Sequence, residues 1–222
     1  MSSSAVWLAV FVGGRSRRMG SPKGLLPDAN GVPLLARWIG LADAVGLVPC
    51  VVGDAAPYAA LLAELERKRG APITRIVDSP AGVGPLGGLR AVLAHAGDAT
   101  VVVVACDMPA VRVEDLTALR SAPVGRSSAP DPAAVVSQRI DGEGRATWEP
   151  FFARYEARAS LAVVDALLAT GERALFRVAE ALRAVPWHPD PRCFVDWDVP
   201  DDLPGGAPPG GGPMPGADRP GS

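Results

Sequence analysis

The sequence predicts an α/β fold in which helices cover both faces of a mostly parallel sheet. Three observations predict it. Strand-like apolar runs alternate with helix-like ones in the order β-α-β-α-β-α-β over the first half of the chain. The run at 100–105, TVVVVA, is apolar throughout, as a central strand covered on both faces should be. Glycine or carboxylate then punctuates the carboxyl ends of four strands: Gly13 and Gly14, Gly53 with Asp54, Asp78, and Asp107. In open parallel sheets, ligands bind beyond that edge.

The elements follow in order. Residues 5–12 read as a first buried strand. Residues 34–45 carry apolar positions at helical spacing, with Pro33 suited to the first turn. A second strand covers 47–52, and a helix over 57–69 is stopped by Gly70. A third strand covers 73–77, a helix over 86–96 follows a glycine-rich turn, and the fourth strand is 100–105. A helix lies near 114–120, and 121–132 is a loop rich in Ser, Pro and Gly. Residues 133–137 and 146–155 are strand candidates, 160–169 and 172–183 read as helices, and 193–196 as a short last strand. From 204 to 222 the chain is almost all Gly, Pro and Ala and has too little apolar surface to order itself. The expected organisation is one domain over 1–203 and a disordered tail over 204–222.

Composition excludes several classes. The 222 residues are 48% hydrophobic with net charge −2, an ordinary globular balance with no bulk basicity for nucleic acid. Aromatics make up only 5%, too few for a base-stacking sheet. Cys50, Cys106 and Cys193 are an odd, widely spaced set, which predicts reduced thiols and a cytoplasmic setting. With two histidines, His95 and His188, a histidine-based metal site is not expected. The first apolar run lacks a basic flank and is too short for a signal peptide or a membrane span.

Four motifs carry the candidate chemistry. Residues 11–25, FVGGRSRRMGSPKGL, put a Gly-Gly pair, three arginines and a lysine directly after a buried strand. Backbone N–H groups and cationic side chains in such a loop suit a polyphosphate. The spacing is neither Walker A, because Gly24 follows Lys23, nor the dinucleotide G-x-G-x-x-G. Residues 77–89, VDSPAGVGPLGGL, place Asp78 at a strand end and Gly84, Pro85 and Leu86 at a helix start. That turn serves either to read a base edge or ribose through backbone groups, or to pack helix tightly on sheet. Residues 105–109, ACDMP, hold Asp107 after a buried strand, where one carboxylate plus substrate phosphates satisfies Mg²⁺. Residues 194–203, FVDWDVPDDL, put Asp196 and Asp198 on one face of an extended segment, while Asp201 and Asp202 suit the start of a short helix. No G-x-S-x-G occurs, so a nucleophilic triad is unsupported.

The segments GGRSRRMGSPKGLL, GPLGGL, CDMP, EPFFARY and FVDWDVPDDL occur in the order seen in molybdenum cofactor guanylyltransferases, which the chain resembles from about Val6 to Leu203. The resemblance implies a three-layer α/β/α sandwich with a mostly parallel central sheet, like that of the nucleotide-diphospho-sugar transferases. It implies transfer of GMP from GTP to the terminal phosphate of molybdopterin, with Mg²⁺ and release of pyrophosphate. Phe11, Val12, Gly13 and Gly14 would contact the nucleotide through backbone, joined by Asp54, Asp78, Gly84, Pro85 and Leu86. Lys23 and Arg18 would face the triphosphate, with Arg15 nearby, and Asp107 would hold Mg²⁺ with Asp198 as a second metal candidate. The implied partners are GTP, a molybdopterin-type acceptor, and molybdenum cofactor insertion or chaperone proteins, with no nucleic acid and no membrane.

The chain departs from the family pattern at several positions. Phe11-Val12 replaces a usual Leu-Ala, and Pro22 stands where an acidic residue commonly precedes the lysine. Asp54, Asp196 and Asp198 stand where asparagines are usual. Two rivals therefore remain at this point. One is another nucleotidyltransferase, acting with cytidylate on molybdopterin or on a sugar phosphate, and base preference separates it. The other is a nucleotide-binding accessory protein without turnover.

Overall fold

The computed structural model describes residues 5–12, 22–122 and 133–195. Seven strands among these residues form one sheet: β1 (Val6–Phe11), β2 (Val48–Val52), β3 (Thr74–Ile76), β4 (Thr100–Ala105), β5 (Ala134–Ile140), β6 (Ala146–Glu156) and β7 (Val185–Trp187). Among the described residues six α-helices accompany them: α1 (Leu34–Val45), α2 (Ala59–Arg69), α3 (Pro85–Ala96), α4 (Val113–Ser121), α5 (Ala157–Ala169) and α6 (Phe176–Ala181). The spatial order is β3-β2-β1-β4-β6-β5-β7. β1, β2, β3 and β4 pair in parallel, while β6 is antiparallel to both β4 and β5.

The two faces of the sheet explain the sequence pattern. Along β1, Leu8 and Val10 join one apolar cluster with Trp38 and Ile39 of α1, Leu62 of α2 and Leu116 of α4. Ala9 and Phe11 join the opposite cluster with Leu86 and Leu89 of α3, Val164 of α5 and Val178 of α6. A strand covered on both faces has no polar side to alternate, and Val101, Val102, Val103 and Val104 of β4 are accordingly all fully buried. The three-layer α/β/α expectation holds, and β4 lies at the sheet centre.

The amino half matches the expected boundaries closely, and the carboxyl half differs in three places. The segment 193–196 was expected to be a strand, but Pro191–Phe194 is a 3₁₀ turn. Pro191 lacks a backbone donor, and the Asp190 carboxylate accepts the Arg192 N–H at 3.0 Å, which starts a turn. The strand in this region is instead β7, whose Pro186 is tolerated because β7 pairs only with β5 at the sheet edge. The helix expected over 172–183 shrinks to Phe176–Ala181. The Glu172 carboxylate accepts the N–H groups of Arg173 and Ala174, folding that stretch as a turn. The expected tail over 204–222 lies outside the described residues.

Candidate active site

Four parallel strands end flush. In register, Phe11 lies beside Val52 and Ala105, and Val52 beside Ile76. The ladder runs one residue further: Cys106 N–H donates to Phe11 O at 3.0 Å, Val12 N–H to Val52 O at 3.0 Å, and Gly53 N–H to Ile76 O at 2.9 Å. Asp54, Asp78 and Asp107 each stand two positions past this flush line, so one edge receives three carboxylates. Strand order reverses between β1 and β4, because β1 leads outward to β2 and β3 while β4 lies on its other side. Such a switch point leaves a crevice at the carboxyl ends, and Asp107 stands beside it.

Lys23 reaches this edge from a distant part of the chain. Its Nζ lies 2.5 Å from Asp107 Oδ2, with the side chains 19% and 16% exposed. Lys23 opens a 3₁₀ turn, Lys23–Leu25, whose following residue Leu26 is buried and donates its N–H to Lys23 O at 3.0 Å. The turn seats on Tyr58. A Cβ on Gly24 would stand 2.8 Å from Tyr58 Cε1, so only glycine lets the ring and the turn meet this closely. Burial, with a smaller contribution from Cys106, pushes the Tyr58 phenol up to about 12. Tyr58 therefore stays a neutral hydroxyl beside Asp54 and Asp107.

The loop that carries Asp107 is held through its carbonyls. Trp38 Nε1–H donates to Cys106 O at 3.2 Å, Arg192 Nη1–H to Ala110 O at 3.0 Å, and Arg37 Nη2–H to Val111 O. Met108 and Val111 are buried beneath it. Asp107 does not cap α4. That task falls to Asp115, which accepts the Arg112 N–H at 2.8 Å. Cys106 itself is inert, since burial and the neighbouring Asp107 push its thiol up to about 12. Burial does the same to Cys50 and Cys193, and all three cysteines are free thiols.

On the other side of β1 lies the second glycine-rich turn. A Cβ on Gly88 would stand 2.7 Å from Phe11 Cε1 and 3.0 Å from Asp78 Oδ1, so the absent side chain brings Phe11 and Asp78 together over α3. Burial raises the Asp78 carboxyl above its ordinary value, and no described residue hydrogen-bonds it. Gly84 has φ +71°, a conformation glycine favours, and Pro85 follows at the first turn of α3. Leu86 is compatible with the backbone role expected of the turn. Its side chain is fully buried in the core with Val92 and Leu89, so only its backbone can face a ligand. Asp54 is exposed and accepts the Ala56 N–H at 3.0 Å, shaping the turn after β2. Gly13, Gly14, Arg15, Arg18, Asp196 and Asp198 lie outside the described residues.

The structure thus gathers Lys23, Asp107, Asp54, Asp78, Phe11 and Val12 at one edge. Sequence reasoning missed Tyr58, Trp38, Arg37, Asp115 and Arg192. Tyr58 carried a weak signal as one of only two tyrosines, and the others carried none.

The sequence profile of the MobA-like NTP transferase domain matches residues 8–185. The chain belongs to the MobA-like nucleotidyltransferase family. Among its relatives, the molybdenum cofactor guanylyltransferase of Rhodobacter capsulatus is 32% identical over 198 residues, covering 87% of this chain and 90% of that one. A probable molybdenum cofactor guanylyltransferase of Opitutus terrae is 32% identical over 211 residues, covering 90% and 94%. A solved structure of molybdopterin-guanine dinucleotide biosynthesis protein A from Archaeoglobus fulgidus superposes with TM-score 0.62 at 25% identity, covering 88% of this chain and 94% of that one. A 4-diphosphocytidyl-2C-methyl-D-erythritol synthase superposes with TM-score 0.64 at 12% identity, covering 90% and 96%, which shows the shared fold. Within a MobA-like nucleotidyltransferase, a cation and a carboxylate paired at the strand-end crevice suit nucleotide chemistry. No described helix is long and apolar enough to cross a membrane.

Proposed function

We propose that this protein transfers GMP from GTP to the phosphate of molybdenum-loaded molybdopterin, releasing pyrophosphate. The observation that carries the proposal is the Lys23–Asp107 pair at the switch point between β1 and β4, in a chain similar over most of its length to molybdenum cofactor guanylyltransferases. A phosphate oxygen of the acceptor attacks the α-phosphorus of GTP in line. One P–O bond forms and the bond to the β-phosphate oxygen breaks, so no covalent enzyme intermediate is needed.

The chain's own work is to hold two anions together and offset their charge. Lys23 is the preorganised cation for the triphosphate, joined by Arg18 and, nearby, Arg15. Backbone at Phe11, Val12, Gly13 and Gly14 frames the phosphates and the base. Asp78, with the backbone of Gly84, Pro85 and Leu86, faces the nucleoside. Asp107 offers a hard carboxylate oxygen at the rim, and no set of three ligating side chains occurs among the described residues. That donor set fits Mg²⁺ completed by substrate phosphates and does not fit a closed all-protein site. Asp107 would hold the ion, with Asp198 as a second ligand, and the ion would neutralise charge on the phosphates. Three free, buried thiols agree with a cytoplasmic protein, where it would hand product to cofactor insertion or chaperone proteins.

The test is pyrophosphate release by the purified protein with Mg²⁺ and molybdenum-loaded molybdopterin, comparing GTP with CTP. Release with GTP alone is the expected result. Release with CTP alone would keep the chemistry and overturn the base. Tight nucleotide binding without release would overturn catalysis.

A further inference from the structure

We infer that Arg192 is a positioning residue for Asp107, reaching from the far end of the chain to brace the loop that carries the carboxylate. The inference rests on the nucleotidyltransferase reading only for its kinetic consequence. Arg192 lies beyond the residues matched by the family profile, in the 3₁₀ turn Pro191–Phe194. Its guanidinium forks onto Asp115, with Nη1 to Oδ2 at 2.7 Å and Nη2 to Oδ1 at 2.9 Å. The same Nη1 donates to Ala110 O at 3.0 Å, three residues from Asp107. One side chain therefore joins the start of α4 to the back of the Asp107 loop.

The geometry explains why this residue is arginine. A planar fork presents two parallel donors to a carboxylate and a further direction to the carbonyl, whereas a lysine ammonium offers a point charge on a flexible stem. Asp115 is itself almost wholly buried, so the fork forms where water competes little. Burial alone would raise the Asp115 carboxyl, but the hydrogen bonds from Arg192 and Arg112 outweigh it and hold it below its ordinary value. Trp38 and Arg37 fix the other two carbonyls of the loop from α1. Removing Arg192 frees Ala110 O and leaves Asp115 buried without its fork. The loop then loses a brace at its back that α1 does not supply, and Asp107 loses its fixed place against Lys23.

The test compares Arg192→Met, which keeps the packed stem, with Arg192→Lys, which keeps the charge. Two measurements are made on the full-length protein. Hydrogen exchange over residues 106–112, without any substrate, should rise at least about fivefold in Arg192→Met while α1 stays protected. Pyrophosphate release should show kcat down roughly tenfold with KM for GTP within about twofold, and Arg192→Lys should fall between the two. Direct Mn²⁺ titration by electron paramagnetic resonance should show weaker binding in Arg192→Met. Unchanged exchange over 106–112 overturns the inference whatever the activity. Faster exchange with unchanged kcat and Mn²⁺ binding also overturns it, leaving Arg192 a structural brace only. If the unmodified protein releases no pyrophosphate, the functional reading fails separately, and equal Mn²⁺ binding by both proteins would then overturn the positioning role.

Discussion

The Lys23 ammonium and the Asp107 carboxylate meet at 2.5 Å although 84 residues of chain separate them. Each is held by its own support: Lys23 by a 3₁₀ turn seated on Tyr58, Asp107 by a loop whose carbonyls are tied to α1 and Arg192. Two independently supported groups of opposite charge at a strand-end crevice are what the proposed reaction needs, with the cation for phosphate and the carboxylate for a divalent ion. Partly exposed ion pairs stabilise little by themselves, about 0–1 kcal/mol, so folding alone gives a weak reason for this pair.

From that pair follows the first prediction. Asp107→Asn should abolish turnover, with the melting temperature close to that of the parent, because the site lies at the rim and not in the core. Lys23→Ala should remove at least ~2 kcal/mol of transition-state stabilisation, roughly a 30-fold loss in kcat/KM. Steady-state pyrophosphate release checks both. A near-normal rate for Asp107→Asn would refute the metal role of that carboxylate.

Gly24 gives the second prediction. Alanine there would put a methyl 2.8 Å from the Tyr58 ring, and Leu35 Cβ at 3.3 Å closes the other side. Overpacking of this kind costs about 1–3 kcal/mol. Gly24→Ala should therefore lower stability in urea and displace Lys23, cutting kcat. Pairing it with Tyr58→Leu should recover part of both by making room. If Gly24→Ala unfolds at the same urea concentration as the parent, the contact between turn and ring is not tight in solution.

Much of this was legible in the sequence, for a physical reason. Strands buried on both faces read as continuous apolar runs, so 100–105 could be placed at the sheet centre, and Gly70 could end α2 because its left-handed conformation suits a helix stop. The strand-end carboxylates Asp54, Asp78 and Asp107 were visible because a buried strand tolerates polar residues only past its end. Leu86 could be placed at the helix start but not in the core, because the motif speaks for its backbone and says nothing of where its side chain packs. The Arg192–Asp115 fork could not be read at all. Its partners are 77 residues apart, and nothing local to either distinguishes a fork from two solvated charges.

The neighbouring glycines of α3 separate stability from function. A Cβ on Gly87 would meet Pro80 O at 2.5 Å and Val83 Cγ2 at 2.7 Å, and a backbone carbonyl cannot swing away. Gly87→Ala should lose about 2–3 kcal/mol. A Cβ on Gly88 would meet chiefly the Phe11 ring, which can rotate, and Asp78. Gly88→Ala should lose less stability but disturb nucleotide binding by moving both groups. Urea unfolding and GTP affinity measured on the two variants should rank them in opposite orders, and the same ranking in both assays would contradict this division.

Asp78 gives a prediction about pH. Burial raises its carboxyl above the ordinary value, so the folded chain keeps that proton after the unfolded chain has released it. Stability from this group therefore falls as pH climbs from about 4 through the folded pKa. Asp115 has the opposite sign: its folded pKa is lowered, so its contribution is present above the ordinary carboxylate value and is lost as pH falls through the folded one. Asp78→Asn removes a charge that no described residue hydrogen-bonds. It should raise the melting temperature at pH 7 by roughly 1–3 °C, with the gain shrinking as pH drops toward about 4. The same change should weaken GTP binding, since a carboxylate kept at a stability cost beside Phe11 is one kept for a ligand. Melting curves of parent and variant from pH 4 to pH 8 would decide it. A variant no more stable than the parent at pH 7 would mean the Asp78 carboxylate is satisfied in the folded protein.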